Sequence, residues 1–136
     1  MYEANVRGLS GVRFEVEARG HRLVSDQPAE NGGSDAGMTP PELFLASIGT
    51  CAGFYVVQYL KAKNLPQEGL QVRVTAEKAT QPARLGSIRI DVEAPGAEDE
   101  RHRAGLVRAV EKCLIHNTLL HPPAIDIAVL PVAAAV

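Results

Sequence analysis

Two cysteine residues are the side chains of this sequence with the clearest capacity for chemistry. Cys51 and Cys113 are its only thiols, and each lies within an apolar segment that has helical spacing. A fold that brings the two segments together would create a thiol pair able to form a disulfide and be reduced again. The alternative is that both are ordinary core residues, because free cysteine is among the most buried residue types. The elements that carry the two thiols therefore matter as much as the thiols.

Length and charge limit the classes of protein to which the chain can belong. Its 136 residues fit a single domain, 1–136, and the net charge of -2 lacks the basic surface expected of a nucleic-acid partner. The apolar stretch 43–60 contains polar residues and glycines, so it predicts a buried helix and not a membrane span. With no export signal, we expect a cytoplasmic protein, where a cysteine pair is more often catalytic or redox-sensing than structural.

The first third of the chain is predicted to be β-structure. Residues 2–8 and 12–18 alternate between apolar and polar side chains, as half-buried strands do, and a short third strand covers 22–25. Glycine, proline and aspartate then recur over 26–38, which predicts a loop.

A long helix is predicted from Pro40 to about Lys63. Thr39 and Glu42 have the spacing of a capping box, and proline is tolerated in the first turn. Apolar residues lie on nearly all sides of this segment, which is typical of a central helix. Because so small a monomer would struggle to cover it, we expect a homodimer.

The second half of the chain repeats the alternation of strands and a helix. Strands are predicted over 70–77 and 87–93, a helix over 97–119 and a last strand over 124–130. The resulting order, β-β-β-α-β-β-α-β, predicts an α+β domain with antiparallel sheets.

Three motifs occur together in this chain. They are the segment Gly37-x-Thr39-Pro40-Pro41-Glu42-Leu43, the triplet Gly49-Thr50-Cys51, and a distant Cys113 followed by Asn117-Thr118-Leu119. With these motifs and this order of helices, nearly the whole chain resembles the OsmC/Ohr family, the osmotically inducible protein C and organic hydroperoxide resistance group.

The resemblance implies an OsmC-like fold in an intertwined homodimer, with a central buried helix and two active sites at the subunit interface. In the peroxidase members, one cysteine attacks an organic hydroperoxide and becomes a sulfenic acid. A second cysteine condenses with it to a disulfide, which a dithiol reductant opens again. By position, Cys51 resembles the peroxidatic residue and Cys113 the resolving residue.

Two differences from the Ohr pattern indicate which branch of the family the chain resembles. The Ohr branch has a glutamate ten residues before the reactive cysteine, where this chain has Pro41. It also has Pro-Tyr-Ser after the second cysteine, where this chain has Leu114-Ile115-His116. The chain therefore resembles the OsmC-like branch.

A reactive Cys51 requires a lowered thiol pKa, because the thiolate is the nucleophile. The family supplies an arginine from the N-terminal hairpin, and Arg13 is our candidate for it. Three other arginines compete for that role, Arg7, Arg19 and Arg22. Arg13 has the alternative interpretation of a solvent-facing strand residue.

Glu42 also has two interpretations, since it can orient the arginine or simply cap its helix. We expect no metal and no cofactor, because the four histidines lack ligand spacing, although His116 follows Cys113 by three residues. The function predicted from the sequence is a thiol-dependent peroxidase acting on organic hydroperoxides. The alternative is a non-catalytic dimer that binds a small apolar ligand in a pocket over Cys51.

Overall fold

The computed structural model describes residues 1–132, which form two antiparallel sheets and a set of helices between and after them. The strands and helices are β1 Asn5–Gly8, β2 Phe14–Ala18, β3 His21–Ser25, α1 Pro40–Ala62, β4 Gln71–Ala79, β5 Arg84–Glu93, α2 Glu100–Val110 and α3 Leu114–Leu120. Single 3-10 turns occur at Ala29–Asn31 and Pro95–Ala97. The predicted α+β class with antiparallel sheets is confirmed.

The N-terminal sheet has the strand order β1-β2-β3. Arg19 and Gly20 connect β2 to β3 with φ values of 52° and 82°, the paired positive angles of a tight hairpin turn. Cross-strand pairing aligns Val6 and Leu23 with Val16 on one face of this sheet. Val6 and Leu23 are exposed, so this chain alone leaves an apolar sheet face uncovered.

Helix α1 begins as the sequence predicts. The Thr39 hydroxyl accepts a hydrogen bond from the Glu42 backbone N–H at 3.4 Å, and the Glu42 carboxylate accepts one from the Thr39 N–H at 2.8 Å. Both halves of the predicted capping box are therefore formed. The helix ends at Ala62, with Lys63 as its C-cap.

One stripe of α1 is buried, and the opposite stripe is not. The buried residues recur at every fourth position, Ile48, Ala52, Val56 and Leu60. Phe54, on the opposite side, is 58% exposed. By length and hydropathy α1 would also qualify as a membrane span, a criterion that core helices of soluble proteins meet equally well.

Strands β4 and β5 form a hairpin against which α1 packs. Their register runs from the pair Gln71 and Glu93 to the pair Ala79 and Arg84 at the turn, with a bulge beyond Glu77. Both strands extend further toward the turn than the alternating pattern predicts, because backbone pairing continues through polar residues. A hydrophobic core lies beside them, where Val56 and Leu60 of α1 meet Leu106 of α2.

The predicted continuous helix over 97–119 is wrong, because the chain leaves helical geometry at Cys113. This residue has φ -58° and ψ 134°, which is extended backbone. The N–H groups of Lys112 and Cys113 donate to carbonyls three residues earlier, so the α-helical ladder tightens and ends there. Neither glycine nor proline marks this break in the sequence.

The predicted strand over 124–130 is wrong for the single chain. Residues 121–132 contain no regular element in the structure, and Ile125, Ile127 and Val129 are largely exposed. Their alternation has the period of a strand, but a strand needs a neighbour for its backbone hydrogen bonds. Within the described residues no neighbouring strand pairs with this segment.

Candidate active site

Cys51 and Cys113 are joined as a disulfide, across 62 residues of sequence. Their Cα atoms lie 6.0 Å apart, inside the range of about 4.4–6.8 Å that a disulfide needs. The expectation that the fold brings these two thiols together is therefore met. Cys113 is 1% exposed, whereas Cys51 is only half-buried.

The interface between α1 and α2 positions the two cysteines. Cys51 and Tyr59 lie on α1, and His102 lies on α2, eleven residues before Cys113. The Tyr59 hydroxyl is 2.8 Å from His102 Nδ1, a hydrogen-bonding distance. Because Cys51 precedes Tyr59 whereas Cys113 follows His102, the helices run antiparallel and are joined at both ends of one interface.

Close packing at Gly105 allows the Tyr59 ring to reach α2. A methyl group on Gly105 would lie 2.6 Å from Tyr59 Cε2 and Cζ, and it would also meet the hydroxyl. The ring also packs edge-to-face on His102, with centroids 5.9 Å apart. A glycine is therefore required at this crossing of the two helices.

Arg13 lies in the turn before β2, and its side chain contacts the N-terminal region. One guanidinium nitrogen donates to the Ser10 hydroxyl at 3.2 Å, and the charge acts on the carboxylate of Asp26. Its Nε is buried and has no hydrogen-bond partner among residues 1–132. Within one chain these contacts hold Arg13 with the N-terminal sheet and not with the cysteines.

Asp26 organises the loop between β3 and α1, a role that the sequence analysis missed. It is 1% exposed, and its carboxylate accepts hydrogen bonds from the backbone N–H groups of Ala36, Gln27 and Ser34 at 2.8 to 3.1 Å. The bonds from Ala36 and Gln27 chiefly hold the pKa of Asp26 below its usual value, against the opposing effect of burial. A loop aspartate followed by a glycine-rich segment was the available signal.

Glu42 is engaged in the helix cap. Hydrogen bonds from the Thr39 N–H and then the Thr39 hydroxyl lower the pKa of its carboxyl. This geometry supports the capping interpretation, and a role in orienting Arg13 stays a prediction.

A groove of about 600 Å³ runs between the first half of α1 and β4. Its walls are Glu42, Leu45, Ala46, Gly49 and Thr50 of α1 together with Val72 and Val74 of β4. The wall includes Thr50 but neither cysteine, so this groove is beside the disulfide and not over it. It is mainly apolar and could hold an apolar group.

The sequence analysis also did not identify Tyr59 and His102 as candidate site residues. Each is a polar ring on an otherwise apolar helix stripe, Tyr59 eight residues after Cys51 and His102 eleven residues before Cys113. That spacing was a usable signal, but only the packing of α1 on α2 shows that the two rings meet.

The fold is found in several solved structures of low sequence identity. A Psychrobacter arcticus 273-4 protein assigned to osmotic stress and detoxification responses has a TM-score of 0.79 at 17% identity, covering 87% of this chain and 88% of that one. An OsmC-like protein from Mycoplasma pneumoniae has a TM-score of 0.77 at 20% identity, covering 90% and 89%. The organic hydroperoxide resistance protein OsmC from Legionella pneumophila has a TM-score of 0.65 at 20% identity, covering 88% of each chain.

A comparison with curated protein sequences finds no significant match. The family described as OsmC-like protein, however, matches residues 32–128, which include α1, both cysteines and the hairpin between them. This match spans well over half of the sequence, and the solved structures show the same fold. The chain therefore belongs to the OsmC-like protein family.

Proposed function

We propose that this protein is a thiol-dependent peroxidase that reduces organic hydroperoxides. The observation that carries the proposal is the Cys51–Cys113 disulfide, which links α1 to the start of α3. Cytoplasmic proteins seldom keep structural disulfides, so in that compartment a cysteine pair is better explained by redox chemistry. A structural relative from Legionella pneumophila is named an organic hydroperoxide resistance protein, which supports the same class of substrate.

The proposed cycle begins at the more accessible thiol. The Cys51 thiolate attacks the terminal oxygen of the hydroperoxide and the O–O bond breaks, giving a Cys51 sulfenic acid and, with one proton, the alcohol. The Cys113 sulfur then attacks the sulfenic sulfur, and water leaves as the disulfide forms. A dithiol reductant returns two electrons and two protons by thiol–disulfide exchange, and becomes a disulfide itself.

We further propose that the working form is a homodimer. The uncovered apolar face of the N-terminal sheet and the exposed stripe of α1 through Phe54 are the surfaces that a second copy would bury. In such a dimer, Arg13 of one subunit would approach Cys51 of the other and favour its thiolate.

The experiment that tests the proposal measures oxidation of Cys51 in the absence of a reductant, so that no catalytic cycling occurs. Pre-reduced protein is treated with one equivalent of tert-butyl hydroperoxide and digested without reduction. Peptide mapping should find a crosslinked Cys51–Cys113 peptide in the wild type and none in Cys51→Ser. Oxidation of methionine alone, with both thiols intact, would refute the proposal.

A second function is favoured by the groove between α1 and β4. Its mainly apolar walls and its volume of about 600 Å³ suit a small apolar ligand. In that case the fluorescent probe 1-anilinonaphthalene-8-sulfonate should bind, and Ala46→Phe should weaken its binding by filling the groove. Tight binding together with no consumption of hydroperoxide would favour this alternative over the peroxidase.

A further inference from the structure

Two links join α1 to the part of the chain that runs from α2 to the start of α3. At one end of the α1–α2 interface is the disulfide between Cys51 and Cys113, and at the other is the hydrogen bond between Tyr59 and His102. Along α1 the links are eight residues apart, a span of about 12 Å at the rise of an α-helix. One link is covalent and reversible, and the other contains no sulfur, so reduction does not itself break it.

Contacts on both α1 and α2 hold the Tyr59–His102 hydrogen bond in place. The His102 side chain is 18% exposed, and its Nε2 lies 3.8 Å from the Asp99 carboxylate. Asp99 also caps α2, since its carboxylate accepts the His102 backbone N–H at 2.8 Å. On α1, the Tyr59 ring fits the surface left open by Gly105. These contacts fix both rings at the helix crossing.

Reduction removes the covalent link that lies just beyond the C-terminal end of α2. Helix α2 ends at Val110, and the three residues that lead to α3 are not helical. Core packing through Leu106 and Val110, together with the Tyr59–His102 hydrogen bond, then keeps the register of α2 on α1. The distance between the two thiols in the reduced protein depends on that register.

We propose that Tyr59 and His102 are positioning residues for the redox pair, forming a latch that holds Cys113 opposite Cys51 in the dithiol state. The inference rests on the proposed redox function, and it adds a reason why the disulfide closes readily. The latch would raise the fraction of dithiol molecules in which Cys113 lies opposite Cys51. The apparent equilibrium constant for disulfide formation then rises by the same factor. Linkage requires the converse, that the disulfide strengthens the Tyr59–His102 contact.

The test measures the equilibrium between protein disulfide and dithiothreitol. In this exchange dithiothreitol supplies two electrons and two protons to the protein and closes to its cyclic disulfide. We expect Tyr59→Phe to lower the constant for forming the protein disulfide about three- to tenfold, the range for loss of one hydrogen bond. Tyr55→Phe is the matched control, since it removes the same atom from the same helix and residues 1–132 offer that hydroxyl no partner. It should leave the constant unchanged.

Two histidine variants separate positioning from stability. His102→Ala should reproduce the loss seen in Tyr59→Phe, whereas His102→Asn keeps an acceptor near the place of Nδ1 and should restore most of the constant. If the variants lower the melting temperatures of the disulfide and dithiol forms equally and leave the constant at the wild-type value, the latch is refuted. No hydroperoxide enters this assay, so its result is separate from the fate of the peroxidase proposal.

Discussion

The two cysteines of this protein differ in exposure, and that difference supports the roles that we propose for them. Cys113 is buried at 1% exposure, while Cys51 lies half-buried on α1. In the proposed cycle a hydroperoxide from solution would therefore reach Cys51 more readily, and Cys113 would attack the sulfenic acid formed there. The family resemblance implied the same two roles for these residues, but the sequence does not show how deeply each cysteine is buried.

The first prediction concerns which cysteine is oxidised by the peroxide and which one resolves the product. In Cys113→Ser, one equivalent of hydroperoxide should leave a sulfenic acid at Cys51, because no second thiol is present to condense with it. Dimedone labelling followed by mass spectrometry should then detect an adduct on Cys51. In Cys51→Ser, Cys113 should stay unlabelled under the same treatment. Labelling of Cys113 with little labelling of Cys51 in the wild type would reverse the assignment.

A second prediction at this scale concerns Asp26. Its folded pKa lies below the unfolded value of about 3.9, so the carboxylate stabilises the fold above that pH, and this contribution is lost as pH falls through the folded pKa. We expect Asp26→Asn to be clearly less stable than the wild type at pH 7, because the amide nitrogen cannot accept hydrogen bonds. The deficit should shrink below about pH 4.

Denaturant unfolding at several pH values measures this deficit. Asp35→Asn is the control, since Asp35 lies in the same loop but is exposed, and asparagine tolerates its positive φ of 53°. A deficit for Asp26→Asn that is constant from pH 7 to pH 3 would show that the carboxylate charge does not matter.

Short sequence patterns correctly predicted the helix and strands whose formation depends on neighbouring residues. The helix from Pro40 was recognised from Thr39 and Glu42, and the structure forms that capping box with the helix ending within one residue of the prediction. The hairpin strands were found from alternation, with ends displaced by up to three residues. The break at Cys113 was missed, because a tertiary link and not a turn residue accompanies it.

The capping box yields a prediction at the scale of the helix. Thr39→Ala removes the side-chain oxygen that accepts the Glu42 N–H, and should lower the free energy of unfolding by about 1 kcal/mol. Glu42→Gln should cost less, because glutamine also completes a capping box. Denaturant unfolding measures both. A peroxidase rate that falls far more in Glu42→Gln than in Thr39→Ala would show that the carboxylate has a role beyond the cap.

The whole molecule presents more apolar surface than one chain covers. Val6 and Leu23 of the N-terminal sheet, Phe54 of α1 and the segment around Ile127 are all exposed. These regions are far apart in sequence, and no element within residues 1–132 covers them all. A sequence pattern can show that such residues favour burial, but local spacing does not encode the surface that would bury them, which we propose belongs to a second copy.

We therefore predict a stable dimer in solution. Sedimentation at micromolar concentration should give twice the mass of the chain, and Phe54→Asp should shift the protein toward the monomer by placing a charge in the interface. Val107→Asp is the control, because Val107 is exposed to a similar extent, 60% against 58%, but lies on α2 and not on the α1 stripe of the proposed interface. A folded wild-type monomer at this concentration would contradict the proposed assembly.

The central claim is that Cys51 and Cys113 form a catalytic redox pair for organic hydroperoxides. The most direct measurement is the consumption of tert-butyl hydroperoxide by purified protein with dithiothreitol as reductant, comparing the wild type with Cys51→Ser and Cys113→Ser. We predict many turnovers for the wild type, background consumption for Cys51→Ser and a strongly reduced rate for Cys113→Ser. Equal consumption by the wild type and Cys51→Ser would contradict the claim.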